Sequence, residues 1–268
     1  SVVGSTAAEA ISLLASYGVS VSAVDTVLGH TGSSDVITML GAGTTSVSIV
    51  ETVKGSSDTD VIRMLNAGNL ALSNVETVVG TAGTEVVSMI AAGDTLAASA
   101  VETVLGTHGG TADVLRLLGG ATTAISEVES ILGGTGTDIV SMLSAGDVSI
   151  SAVDTIIATT DTDTVTLLGG GTTAVSEVQT VYGSTGTDVV RVLGGGEVLV
   201  SVVETVLGTA ASNDVIGMVS AGTLAASAIE TVVGSTSGSD DDILKLLGAG
   251  SVSVSIVETV VGTSGVES

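Results

Sequence analysis

Apolar and polar positions in this chain repeat on two scales. On the short scale, aliphatic residues alternate with Ser, Thr or charged residues, as in Asp60-Val61-Ile62-Arg63-Met64 and Val148-Ser149-Ile150. That period of two predicts strands with one buried face. On the long scale, the tetrapeptide V-E-T-V or a close relative begins at Val24, Val50, Val75, Val101, Val128, Val153, Val178, Val203, Ile229 and Val257. The successive spacings are 26, 25, 26, 27, 25, 25, 25, 26 and 28, which makes ten copies of one unit. Each copy reads roughly G-T-x-G-T-D-V-V-x-M-L-x-A-G-x-x-x-V-S-x-V-E-T-V-L. Units that each bury little alone and share one continuous core define a solenoid. Composition does not shift along the chain, so a single repeat domain over residues 1–268 is expected.

The columns of the repeat predict its faces. Column zero is the acid before the first apolar run: Asp35, Asp60, Glu85, Asp113, Asp138, Asp163, Asp188, Asp214 and Asp242. Three residues on, the column holds Arg63, Arg116, Arg191 and Lys245, four of the five basic residues, and must face water. Columns two and four are aliphatic or Met and should face the core. Column one is Val, Ile or Thr164, which suits a strand. Column five is nearly always Leu and precedes Gly or Ala pairs that mark a turn. The segments Val148-Ser149-Ile150 and V-E-T-V supply second and third strands. If this is right, columns one and five expose aliphatics, and exposed apolar stripes mean contact with something.

A helical or mixed α/β solenoid is the competing reading. Columns one, two, four and five also trace a helix stripe, with the acid as N-cap and the glycines as C-cap. The S-x-V-E segments, such as Ser73 to Glu76 and Ser176 to Gln179, read as capping boxes. Short segments rich in Val and Thr favour strands instead. The expected fold is therefore all-β, a parallel β-solenoid of about ten units with one unit per turn.

Composition narrows the function classes. Acids number 29 against five Lys plus Arg, for a net charge of −24, yet the chain is 44% apolar and 1% aromatic. Nucleic-acid binding, which needs Lys and Arg at phosphates, is excluded on this balance. With no Cys there is no disulfide framework and no thiolate metal site. The longest charge-free stretches are 15 residues, such as Ala10 to Val24, too short and too rich in Ser and Gly to span a membrane.

Residues Gly133-Gly134-Thr135-Gly136-Thr137-Asp138-Ile139-Val140-Ser141 fit the nonapeptide G-G-x-G-x-D-x-U-x, and Gly183 to Val190 nearly do. Together with V-S-x-V-E-T-V-x-G, as at Val175 to Gly183, these segments resemble the RTX-type, hemolysin-related repeat proteins of bacteria, including surface-layer and adhesin-like members. The resemblance implies a secreted or cell-surface protein whose repeats wind into a parallel β-roll and bind Ca²⁺. Carried onto this chain, it implies ligands at Gly134, Gly136, Asp138, Gly186 and Asp188, and at the eroded positions Asp163 and Asp113. The motif is lost at Ala158 to Asp163, which has none of its three glycines.

Charge is an independent reason to expect cations. With one unit per turn, column-zero acids would form a ladder at about 4.8 Å, and the V-E-T-V acids a second, interrupted by Gln179. Unit charges about 5 Å apart repel by roughly 3 kcal/mol at an effective dielectric near 20. Cations between the acids would relieve this, and so would backbone amides at a corner. No catalytic motif occurs: no G-x-S-x-G, H-E-x-x-H or P-loop. His30 and His108 stand alone in variable turns. Met39, Met64, Met89, Met142 and Met218 share column four as core filling.

The expected function is structural: a self-assembling repeat array of a filament, surface layer or adhesin stalk, whose partners are its own copies. The alternatives are a repeat region of a larger secreted enzyme or toxin, and an ice-binding solenoid. Against the last, Thr pairs such as Thr44-Thr45 and Thr172-Thr173 do not recur in every copy. Val2-Val3-Gly4 matches Val260-Val261-Gly262, with Glu9 and Glu267 in phase behind them, which predicts head-to-tail stacking or a piece of a longer array.

Overall fold

The structure, a computed structural model, describes residues 1–5, 7–32, 34–209, 213–237, 241–248 and 250–263. Glu267 lies outside the described residues. The chain falls into two compact units, Ser1–Asp138 and Ile139–Ser268. Among the described residues there are strands and turns but no helix, and every strand pairing is parallel. The short Val- and Thr-rich segments therefore pair as strands. The S-x-V-E segments do not cap helices: their Ser ends the serine strand, and the chain bends after it into the threonine strand.

Each repeat contributes three strands. In one copy these are an acid strand, Asp60–Met64, a serine strand, Gly68–Ser73, and a threonine strand, Thr77–Val79. Consecutive strands join opposite sheets, so one turn of the solenoid is two strands, two-thirds of a repeat. Register follows this short turn: Val61 pairs with Thr77, and Thr77 with Ala97. The expectation of one repeat per turn is corrected accordingly. Three strands per unit and two per turn make each repeat one and a half turns.

Unit 1 builds two sheets in this way. Sheet A contains the acid strands Val36–Met39 and Glu85–Met89, and sheet B contains Asp60–Met64 and Val114–Leu117. Unit 2 repeats the plan. Sheet C contains the acid strands Ile139–Met142, Asp188–Val192 and Ile243–Leu246, and sheet D contains Thr164–Leu167 and Asp214–Met218. Successive acid strands thus alternate between sheets, and two acid strands of one sheet stand three strands, about 14 Å, apart.

The core lies between the two sheets of each unit. Column two, from Ile37 through Leu115 to Leu244, is 0% exposed in every copy. Column four, including Met39, Met64 and Met89, is buried beside it, except at Met142 and Leu246, which are half-buried. The basic residues of column three are exposed, as expected. Column five, from Leu40 to Leu247, is 40–56% exposed, so the outer faces do carry a spaced row of aliphatics. Where the core column of the serine strand holds Thr, the hydroxyl is satisfied internally: Thr45 Oγ1 donates to the Val24 carbonyl at 2.9 Å and Thr173 Oγ1 to that of Val153 at 3.1 Å. Half of each Thr pair therefore faces the core and offers nothing to an outer array.

Candidate functional site: the acid corners

The corners, where the chain passes from one sheet to the other, concentrate the charge. Column zero shares the inward parity of columns two and four, and its acids are buried to 0–1% exposure. They do not form a ladder. Because the turn is shorter than the repeat, each column-zero acid lies in register beside the V-E-T-V acid of the next turn. The pairing Val36↔Thr52 sets Asp35 beside Glu51, and Val114↔Ser130 sets Asp113 beside Glu129. The charge is arranged as pairs, with Gln179 replacing one acid beside Asp163.

Backbone amides, with their positive ends turned inward, hold these pairs. Asp113 is a fully satisfied case. Its Oδ2 accepts the Thr107 N–H at 2.7 Å and the Thr107 hydroxyl at 2.9 Å. Its Oδ1 accepts the N–H groups of Gly93 and Asp94 at 2.8 and 3.1 Å. Its own N–H donates to Glu129 Oε2 at 2.7 Å. The same last bond joins Asp35 to Glu51, Asp60 to Glu76 and Asp242 to Glu258. Several N–H donors on a buried carboxylate replace the hydrogen bonds that it would make to water.

Two further features complete the corner, and neither was recognised in the sequence. A Ser or Thr hydroxyl closes the loop ahead of the acid. Ser56 Oγ donates to Asp60 Oδ2 at 2.9 Å while accepting the Asp58 N–H at 3.1 Å, and Ser184 and Thr159 act likewise. The G-[S/T] dipeptide after V-E-T-V-x carried that signal. Second, the residue before each V-E-T-V is left-handed in all ten copies, with φ between 52° and 59°. It is Ala, Ile, Asn, Glu or Val, so composition hides it. Its carbonyl points at the glycine one turn back: a Cβ on Gly183 would lie 1.9 Å from the Val202 oxygen. That close approach, rather than turn conformation, explains this glycine.

The residues implied as Ca²⁺ ligands sit in these corners. Asp138 accepts the N–H of Gly134 at 2.7 Å and of Ala121 at 3.1 Å. Gly136 has φ 112°. Asp188 accepts the Ser184 N–H at 2.6 Å, and Gly186 N–H donates to Ser184 Oγ at 3.0 Å. Asp163 accepts the N–H groups of Gly146 and Thr159, both at 2.8 Å. Backbone N–H groups thus meet both oxygens of Asp138 and Asp163 and one oxygen of Asp188. Among the described residues no cluster of three or more His, Cys, Asp or Glu comes together that could hold a metal ion. Elsewhere in the corners, Asp60 Oδ1 and Glu85 Oε2 are buried without a hydrogen-bond partner among the described residues.

One acid departs from this balance. Asp94 beside Asp113 is pushed above its ordinary value by burial, opposed by the N–H it accepts from Asn74, with the charges of Asp113 and then Glu76 adding to the rise. The histidines stay peripheral: His30 uses its backbone N–H on Asp35 Oδ2 at 2.6 Å, and the exposed His108 ring lies 3.0 Å from Glu127.

Fold and corners together define a class: a parallel β-solenoid with three strands per repeat and amide-clamped acid pairs. Searches of protein-family models, of curated proteins and of solved structures find no match to the chain.

Proposed function

We propose that the chain is a structural, extracellular bacterial protein, a self-assembling repeat array of the filament, surface-layer or adhesin-stalk kind. The observation that carries this reading is the regular outer surface. A column-five aliphatic, 40–56% exposed, returns on every third strand of each sheet. Solvent-exposed aliphatic rows at fixed spacing suit contact with a surface of the same period. The resemblance of Gly133–Ser141 to the RTX nonapeptide supports the bacterial and extracellular part.

Electron microscopy of the purified full chain over a concentration series tests the reading. Fibres or lattices with a spacing near 4.8 Å along the strand stack are expected. A monodisperse monomer at every concentration would remove it.

A further inference from the structure

The outer faces of sheets B and D differ in charge. Among the described residues, sheet B carries Arg63 and Arg116 and no outward acid, while sheet D carries Asp147 and Glu197 and no base. All four are exposed, and among the described residues no hydrogen bond or ion pair engages their side chains. The two pairs have the same spacing. Arg63 is in register with Val79 and Ser99, and Arg116 with Ala97, so Arg116 stands three strands on and two residues back. Asp147 is in register with Thr164, Thr180 and Leu199, so Glu197 also stands three strands on and two residues back. Three strand spacings and two residue rises give a separation of roughly 16 Å in both cases.

We propose that the outer face of sheet B docks on the outer face of sheet D of a second copy, Arg63 and Arg116 meeting Asp147 and Glu197. The proposal rests on the self-assembly reading above and assigns it a contact. Equal separations let both ion pairs form at once when the second copy is turned over about the line joining its acids. Each face adds aliphatics beside its charges: Leu65 and Leu118 on sheet B are 53% and 45% exposed, Leu168 and Leu199 on sheet D 52% and 37%. A copy of this chain is the fitting occupant because the same repeat step sets the spacing on both sides. The acids of the corners lie away from these two faces. The contact joins unlike faces and therefore propagates unless its rotation closes.

Charge reversal on the full chain tests this, read by sedimentation equilibrium at about 20 mM and about 500 mM NaCl, on either side of the ~10 Å screening length at 0.1 M. Arg63→Glu with Arg116→Glu should weaken association at least tenfold at low salt, and Asp147→Arg with Glu197→Arg should do the same. Each variant alone repels, but an equimolar mixture of the two, or all four changes in one chain, should restore association. Far-ultraviolet circular dichroism checks that each variant remains folded. If the wild type assembles and the reversed variants assemble equally well, this contact is wrong and the self-assembly reading stands. Failure of the four-change chain to recover would overturn the pairing. A wild type that stays monomeric at both salts removes the contact and the reading together.

Discussion

Two neighbouring corners of unit 2 solve one problem with different residues. At the first, Gly183 precedes Ser184, Asp188 follows, and the Asp188 N–H donates to Glu204 Oε2 at 2.8 Å. At the second, Ala158 stands where Gly183 does, and the Asp163 N–H donates at 2.7 Å to Gln179 Oε1. Both keep the strand-end bond: Gly183 N–H to the Ser201 carbonyl at 2.8 Å, Ala158 N–H to that of Ser176 at 2.9 Å. Gln179 also donates its Nε2 to the Glu177 carbonyl at 2.8 Å, which no carboxylate can do. The comparison separates what the corner requires from what usually fills it. It requires an acceptor oxygen beside the buried aspartate, not a second charge. It requires room for a carbonyl, which glycine gives directly and which the chain around Ala158, buried at 7% exposure, makes by another path.

The largest expected effect comes from exchanging the two small residues. Gly183→Ala drives a Cβ into the Val202 carbonyl and should cost about 3 kcal/mol. Ala158→Gly should stay within about 1 kcal/mol. Thermal unfolding of the two variants would show the glycine to be dispensable if their losses were equal. Next, Asp188→Ala removes a buried carboxylate that accepts the half-buried Ser184 N–H and should cost about 2 kcal/mol, as should Asp163→Ala at the other corner. A much smaller loss at Asp163 would mean that the Gln179 corner is held by something else.

A gain should follow from relieving backbone strain. Val202 holds φ 58° with a β-branched side chain that is 57% exposed. Val202→Gly should stabilise by about 1 kcal/mol, since the left-handed conformation costs a β-branched residue about that much and little packing is lost. Glu177, its counterpart at the other corner, should gain less on the same change. Smaller still, Glu204→Gln should change denaturant stability by under about 0.5 kcal/mol, because an oxygen remains. A loss as large as that of Asp188→Ala would restore charge as the requirement.

The smallest effect lies where charge does matter. Asp94 is raised in the folded state, so its ionisation opposes folding at neutral pH. That penalty is complete above the folded value and gone below the ordinary 3.8. Asp94→Asn should therefore stabilise slightly, by under about 0.5 kcal/mol at neutral pH, and the difference should vanish as pH falls below that ordinary value. A difference that persists in acid would point to packing instead.

The faces of the strands were legible because a period of two is local: Arg116 outward and Leu117 inward follow from alternation alone. The same parity places column zero on the inward side, and the burial of Asp35 or Asp188 was readable from it once charge was not assumed to seek water. The length of the turn was not legible. A sequence period tells which segments are alike, whereas the turn is set by how many strands return to the same sheet. The three strand signals of each unit were visible, but their odd number leaves every other copy on the opposite sheet. The acid corners stayed hidden for a related reason. Asp113 and Glu129 belong to one copy, and only the shorter turn sets them side by side on adjacent strands of one sheet. The left-handed residue gave no signal at all, because Ile49 and Glu127 share a backbone angle and nothing in composition.

Three strands per repeat and two per turn also give the molecule a parity. Remove one whole repeat from within a unit, and every later strand of that unit joins the opposite sheet, carrying its outward arginines or acids to the other side. Remove two, and all return to their original side. Growth or shrinkage by pairs of repeats preserves the sidedness of the surface, and a single step inverts it. The array can thus change its length by even numbers with its surface unchanged, while each odd step carries the outward charges beyond it to the opposite face of that unit.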